Sequence, residues 1–345
     1  MRILSVRHSV PGLRITNDAV LAAIRARNEH RLDESELDAV EHRIQAHLAL
    51  AGTDVRYIAH DGENVLDHLL AAGRRALADA DVRAEDVDFV IYTGIGRGWL
   101  EPASANVVQH ALGLTNATGF DLLDACASWL RAIQVAHSFI RGGIYRRGLI
   151  VNCECGLSRY ADLDIGDVQA VDQRAAAFTV GEAATATLVD DGDPDDDFYF
   201  VFRNFGEHFR LCMIPLDNAA AFLPPGVNGE YAPLKFYSLS RKLIATTIKK
   251  IVELFESEPR LRDASYDICF GHAASEKARE VIGRRLGLPQ DMYYRTHARY
   301  GNTVSASVPL GMSLALEEGR LKRGDRTLII VGSAGISVGL ASFTF

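Results

Sequence analysis

Three side chains in this 345-residue sequence have the types and the placement to work as one chemical unit: Cys126, His272 and Asn302. Cys126 ends the run Phe120-Asp121-Leu122-Leu123-Asp124-Ala125-Cys126. After it Leu130, Ile133 and Ile140 recur near helical spacing, with Val135, Ala136 and Phe139 beside them, and Gly142 and Gly143 supply a stop. The cysteine therefore falls at or before the first turn of a helix, where free amides and the positive end of the helix dipole favour a thiolate. A thiolate is a soft nucleophile suited to covalent catalysis. His272 closes the run Asp267-Ile268-Cys269-Phe270-Gly271-His272, and Asn302 follows Gly301. Taken singly, each has a plain structural reading: a small buried thiol, a structural histidine, a turn residue. Their joint register argues otherwise.

The elements that must position them repeat. Met1 to Arg7 reads as a first strand. Residues 15–50 read as helical, with Asn17 as a cap and 33–50 as a second amphipathic run, and 65–80 form a clearer helix with Leu66, Leu69, Leu70 and Leu77 on one side. Buried strands follow over 88–94 and 147–152, with a third over 178–189 interrupted by a glycine. Asp190 to Asp197, with Pro194, is an acidic loop and the linker candidate. Beyond it a helix over 243–255 and strands over 267–272 and 326–331 restate the pattern. Asp88 and Asp267, like Arg147 and Arg326, are each 179 residues apart, and Cys126 and Asn302 are 176 apart. A constant offset of this kind marks a duplicated unit. The expected fold is layered α/β, a single fused domain with an N-terminal half over 1–190 and a C-terminal half over 198–345. Ligands in such folds gather at strand carboxyl ends and helix N-termini.

Composition narrows the rest. The 37 basic and 45 acidic residues give a net charge of −8, which suggests no nucleic-acid partner. No apolar run reaches the roughly 18 residues of a membrane span, and the first residues lack the pattern of a signal peptide. The five cysteines (126, 153, 155, 212 and 269) are odd in number and without a C-x-x-C pair, so reduced thiols in a cytoplasmic protein and no metal site are expected. Cys153 and Cys155 alternate along an apolar strand, which favours burial over metal binding.

The segments Asp124-Ala125-Cys126-Ala127, Gly271-His272-Ala273-Ala274 and Tyr300-Gly301-Asn302-Thr303-Val304-Ser305-Ala306-Ser307 together resemble the thiolase-like condensing enzymes, and among these the ketoacyl synthase III group. Gly332-Ser333-Ala334-Gly335-Ile336-Ser337-Val338-Gly339 is similar to that group's terminal glycine-rich turn, so the resemblance spans nearly the whole chain. It implies a thiolase-like fold of two duplicated α/β halves in α-β-α-β-α layers, and a homodimer. It also implies Cys126 as the acyl-accepting nucleophile, with the amides of Cys126 and Ala334 as oxyanion donors. His272 and Asn302 would bind the carbonyl of a second thioester. No cofactor would be held permanently; substrates would arrive as coenzyme A or acyl-carrier-protein phosphopantetheine thioesters.

Trp99-Leu100-Glu101-Pro102-Ala103-Ser104 is similar to the Leu-Glu-Pro stretch of head-to-head condensing enzymes of olefin and pyrone pathways. There a glutamate reaches across the dimer and removes an α-proton, so Glu101 is the implied base of a non-decarboxylative Claisen condensation. A carboxylate in an apolar interface would have its pKa raised toward working pH. Its plain reading is a solvated loop glutamate. Two departures stand out. The group's His-Gln-Ala-Asn is here His272-Ala273-Ala274-Ser275, and no tryptophan precedes Trp99 to grip coenzyme A near residues 46–52, which favours a carrier protein. Phe205, Phe209, Leu211, Met213, Phe222 and Leu223 are the expected acyl-chain wall. The alternatives are decarboxylative extension by a malonyl thioester, acyl transfer to a hydroxyl or amine, a papain-like hydrolase, and a catalytically dead partner subunit.

Overall fold

The computed structural model describes every residue except Asp193, Glu230 and Ala273. The first half runs β1 (Arg2–Ser9), β2 (Leu13–Thr16), α1 (Asn17–Asn28), α2 (Glu34–Ala51), β3 (Val55–Ile58), α3 (Val65–Asp79), β4 (Phe89–Thr93), α4 (Ser104–Leu112) and β5 (Thr118–Leu122). It continues through α5 (Ser128–Arg141), β6 (Arg147–Cys153), α6 (Val168–Gln173), α7 (Ala175–Thr179) and β7 (Ala184–Asp190). After the acidic loop come β8 (Tyr199–Asn204), β9 (Cys212–Met213), β10 (Tyr237–Ser238), α8 (Ser240–Glu256), α9 (Pro259–Arg262) and β11 (Ile268–His272). The chain closes with α10 (Glu276–Arg285), α11 (His297–Tyr300), α12 (Ser307–Glu317), β12 (Arg326–Ser333) and β13 (Ser337–Thr344).

Among the described residues two sheets dominate, one ordered β1-β7-β6-β4-β5 and the other β11-β12-β13-β8. The apolar stretches that read as buried strands pair in parallel, β4 with β5 and β6, and β11 with β12. Parallel strands need helical crossovers on both faces, and the packing supplies them. α5 and α12 lie between the sheets, where Trp129, Leu130 and Ile133 meet Val308, Leu310 and Met312 in one core with residues of both sheets. α3 and α4 cover the outside of the first sheet, and α8 and α10 cover the second. The order of layers is α-β-α-β-α. α12 is buried all round from Ser307 to Ala315, whereas α5 keeps one face less covered, with Ser138 and Arg141 exposed. Trp129 is almost fully buried, and its indole N–H donates to Thr187 Oγ1 at 3.0 Å, fixing α5 to the first sheet just beyond Cys126.

The 179-residue offset holds at the level of atoms. β4 and β11 start one offset apart, as do β6 and β12, and α5 and α12. Asp88 Oδ2 accepts from the Arg147 amide at 2.9 Å, and Asp267 Oδ2 accepts from the Arg326 amide at 2.8 Å. Ala125 and Val304, also one offset apart, are both non-glycine residues with positive φ, 43° and 48°. Each turns the chain sharply from strand end into the helix of the middle layer. The counterpart of Cys126 in this register is Ser305; Asn302 lies three residues earlier.

Two local expectations are corrected. Asn17 is the first residue of α1, not its cap: Thr16 Oγ1 accepts the Ala19 amide, and Asn17 Nδ2 donates to the Thr53 carbonyl at 2.8 Å. Phe178 belongs to α7, and the strand begins only at Ala184. The segment between bends because Val180 bridges Asn302 and the Gly181 amide bonds the Asn302 carbonyl.

Candidate active site

Cys126 sits in a single helical turn (Ala125–Ala127) at the mouth of α5, as its spacing predicts. Around it two segments of the chain, 124–131 and 333–337, are tied together. The Ser333 hydroxyl donates to the Asp124 carbonyl at 2.9 Å and accepts from the Ala127 amide at 3.3 Å. Ser337 Oγ donates to one oxygen of the Asp124 carboxylate at 3.1 Å, and Arg131 holds the other at 3.2 Å. Ser333 and Ala334 line the same cavity as Cys126, so the β12–β13 turn brings its backbone to the nucleophile's side of the cavity.

The thiol nevertheless does not rest in an ionising environment. Burial pushes the Cys126 thiol well above its ordinary value, Cys212 and Glu154 push the same way, and the Ala334 amide and Ser333 hydroxyl pull against them. The expectation of a resting thiolate is corrected to that extent: desolvation outweighs the donors.

His272 closes β11, buried, with Nδ1 at 3.1 Å from Ser307 Oγ, which donates to the Val304 carbonyl at 2.8 Å. When the Ser307 proton turns from that carbonyl to Nδ1, the neutral ring carries its one proton on Nε2 and offers it as a donor to a substrate. Burial lowers the His272 pKa to about 4, so the ring is neutral near pH 7. Asn302 is held by its own backbone, which donates to the Thr179 carbonyl at 2.7 Å. Its Oδ1 accepts the Val304 amide at 3.0 Å, so the side chain offers its NH2 group, not its oxygen.

Cys126, His272, Asn302 and Ala334 line one cavity of about 140 Å³, with Ser333 and Cys212. Two halves of a duplicated chain therefore converge on one site. The cavity wall is not the one expected. Phe205, Phe209, Leu211, Met213, Phe222 and Leu223 are absent from the lining among the described residues; α8 supplies Leu243, Ile244, Thr247, Ile248 and Ile251 instead. Leu211 is buried in the core beneath β12 and β13 with Phe205 packed against it, and Phe222 is 78% exposed. His47, Leu50 and Ala51 of α2 and Arg241 of α8 also line this cavity. Residues 46–52 thus reach the cavity without a tryptophan or an arginine. Among the described residues no group of three or more His, Cys, Asp or Glu side chains could hold a metal ion, and no helix is long and apolar enough to cross a membrane.

Glu101 does not line this cavity. It is exposed on a loop beside Trp99 and Leu100, the latter 75% exposed. The loop is pinned at both ends. Arg97 donates to the Gly94 carbonyl at 3.2 Å, Arg159 donates to the Arg97 carbonyl at 2.7 Å, and Asp121 accepts the Ser104 and Ala105 amides, both at 2.9 Å. A fixed, outward, partly apolar loop presents the carboxylate away from its own cavity.

One residue at the centre escaped the sequence reading. Glu154, fully buried, accepts from the amides of Ile95 (3.0 Å), Gly96 (3.2 Å) and Ser305 (3.3 Å) and from the Ser305 hydroxyl. It knits the chain leading to Glu101 to the Asn302 segment. Burial raises its pKa to about 7 against those hydrogen bonds. The signal was there: a lone carboxylate between Cys153 and Cys155 at the end of an apolar strand. Ser333 and Ser307 left no such signal, because small residues fill both segments.

Comparison with known proteins gives a consistent picture. Residues 120–204 match the family model 3-oxoacyl-[acyl-carrier-protein (ACP)] synthase III, and residues 257–345 match its C-terminal companion, together about half of the chain. The beta-ketoacyl-[acyl-carrier-protein] synthase III of Clostridium perfringens is 27% identical over 299 residues, covering 84% of this chain and 87% of its own. That of Thiobacillus denitrificans is 29% identical over 291 residues, with the same two coverages of 84% and 87%. Among solved structures, the 3-oxoacyl-[acyl-carrier-protein] synthase III of Aquifex aeolicus superposes with a TM-score of 0.81 at 21% identity, covering 100% of this chain and 99% of its own. Xanthomonas campestris OleA, solved as a cysteine-to-serine variant with bound lauric acid and lauroyl-CoA, superposes with a TM-score of 0.83 at 20% identity, covering 99% and 98%.

Proposed function

The chain belongs to the 3-oxoacyl-[acyl-carrier-protein] synthase III family of acyltransferases, and from that premise we propose that it joins two acyl thioesters by a non-decarboxylative Claisen condensation in a homodimer. The supporting observation is the convergence of Cys126, His272, Asn302 and Ala334 on one cavity from both halves of the chain. The halves are taken as residues 1–190 and 198–345.

In this reading Cys126 Sγ attacks the first thioester, and the amides of Cys126 and Ala334 hold the oxyanion until the carrier thiol leaves. The second thioester enters with its carbonyl oxygen against His272 and the Asn302 amide, whose donors stabilise the enolate. That enolate attacks the acyl carbonyl on Cys126 and releases the sulfur. A plain acyl thioester gives up its α-proton only to a base, and Glu101 of the partner subunit is assigned that role. Its pinned, outward loop with Trp99 and Leu100 exposed suits a dimer contact. The lack of tryptophan among residues 46–52 favours a carrier protein as donor, with coenzyme A as the alternative. OleA has been solved with variants of a glutamate and a histidine as well as the cysteine, which fits an OleA-type arrangement of the same three side-chain types.

The test is complementation across the dimer. Glu101→Gln keeps size and hydrogen bonding but takes no proton, so it should load Cys126 and fail to condense. Mixed with Cys126→Ser, which cannot load, it should form heterodimers with one complete site and recover activity. Normal condensation by Glu101→Gln alone, with carbon dioxide released from malonyl thioester, would replace this chemistry by decarboxylative extension.

A backbone substitution probes the same half-reaction from a distance. A Cβ on Gly181 would lie 1.9 Å from the Tyr300 carbonyl oxygen, two residues before Asn302. Gly181→Ala should displace the Asn302 segment and lower condensation by roughly 100-fold, as an ångström of misplacement does. Loading of Cys126, measured by intact mass, should fall far less.

A further inference from the structure

Glu154 is fully buried and stands outside the cavity lining, and its two oxygens divide their partners. Oε2 accepts the Ile95 and Gly96 amides at 3.0 and 3.2 Å. Oε1 accepts the Ser305 amide at 3.3 Å together with the Ser305 hydroxyl, so Ser305 is held by backbone and side chain at once. Ser305 Oγ in turn accepts from Asn152 Nδ2 at 3.0 Å. Immediately before Ser305 stands Val304, a β-branched residue with a φ of 48°, a conformation that persists only where its surroundings enforce it. Asn302 Oδ1 grips the Val304 amide at 3.0 Å from one side, and Glu154 grips the next residue from the other. The duplication supplies a second instance. Glu154 and Ser333 are 179 residues apart, at the carboxyl ends of β6 and β12. Ser333 ties the turn at Ala125 through the Asp124 carbonyl and the Ala127 amide, and Glu154 ties the turn at Val304. Each half thus braces the left-handed turn of the other.

We propose that Glu154 is a positioning residue for the enolate donor: by fixing Ser305 it holds the left-handed turn at Val304, and through that turn the side chain of Asn302. The proposal rests on reading Asn302 as a donor to the second thioester. Once Ser305 is released, Val304 relaxes toward an ordinary φ, its amide leaves Asn302 Oδ1, and the Asn302 side chain is free to turn away from the carbonyl it serves. The four donors also decide which segment gives way in Glu154→Gln. A backbone amide only donates, whereas a hydroxyl also accepts, and glutamine has one acceptor oxygen and one NH2 group. With its oxygen on Ile95 and Gly96 it orphans a single amide, that of Ser305, because the Ser305 hydroxyl turns to accept. In the opposite placement two amides face N–H groups. The first placement costs less, so the Ser305 side loosens while the chain toward Glu101 keeps its anchor.

The experiment combines a double-mutant cycle with hydrogen exchange. Wild type, Glu154→Gln, Asn302→Ala and the double variant are compared for loading of Cys126 by intact mass and for condensation, with lauroyl-CoA as both thioesters. Glu154→Gln should load within a few-fold of wild type and lose condensation by about 100-fold. In the Asn302→Ala background the same substitution should cost less than about twofold, because the group it positions is already gone. Amide exchange read by mass spectrometry should quicken in peptides covering 302–306 and stay unchanged in those covering 94–97. Should Glu154→Gln fold poorly, Ser305→Ala removes the hydroxyl arm from the other side, with about a tenfold loss of condensation that again vanishes beside Asn302→Ala. An equal loss in both backgrounds, the mark of a merely structural role, overturns the proposal. So do unimpaired condensation and an exchange change confined to 94–97. If Asn302→Ala itself condenses like the wild type, the donor reading of Asn302 fails and the proposal with it, while the exchange data still report whether Glu154 holds the turn.

Discussion

A Cys126→Ser variant incubated with an acyl thioester should show no thioester mass gain, where the wild type gains one acyl group per chain. The expected loss of loading is about three orders of magnitude or more, because a serine alkoxide is far harder to form than a thiolate in the same place. Burial already opposes ionisation of this thiol, so a group of still higher pKa has no route to the charged form. The informative control is Cys212, which lines the same cavity with its own thiol raised to about 12 by burial. Cys212→Ala should load normally. A hydroxylamine-sensitive acyl adduct persisting in Cys126→Ser, on Cys212 or elsewhere, would remove Cys126 from its assigned role.

His272→Ala and Asn302→Ala should separate the two half-reactions. Each should leave the acyl mass gain within a few-fold of wild type and reduce carbon–carbon bond formation by on the order of 100-fold or more. The reason lies in what holds these side chains. Asn302 commits its oxygen to the Val304 amide and so offers only donors, and His272, neutral near pH 7, presents a single ring nitrogen beyond Ser307. Donors so fixed act on charge that develops on the second substrate and are not needed to carry the first acyl group. Equal loss of loading and condensation in both variants would fit a hydrolase-like unit of cysteine, histidine and asparagine.

Much of this site was legible before any coordinates because its supports are strongly patterned. The apolar runs ending at Thr93 and His272 are buried parallel strands, and such strands stay nearly continuous in apolar residues. The 3.6-residue period after Cys126 survives because one face of α5 meets the first sheet. The offset of 179 residues then tied both halves together without any contact being known. What was missed has physical causes. β9 and β10 are two residues each, too short to carry a period. The segment 205–223 carries the apolar types of a wall, yet part of it serves the core and part stands in the open, and the cavity is lined from α8. A period can say that a face is buried; it does not say which space it faces. The resting state of Cys126 was misjudged for a related reason. Helix position is local and visible in the sequence, whereas desolvation depends on everything packed around the sulfur.

The central claim is that one site loads an acyl group on Cys126 and then joins it to a second thioester without loss of carbon dioxide. It is tested most directly by a pulse and chase followed by intact mass and product analysis. Wild-type protein is loaded with one acyl thioester, freed of excess, and given a second thioester deuterated at its α-carbon. The account predicts that the protein returns to its unacylated mass as a product containing both acyl chains appears, with one α-deuterium lost and no carbon dioxide released. Return of the protein to that mass with the first acyl group recovered as free acid, or on a hydroxyl or amine, would contradict it.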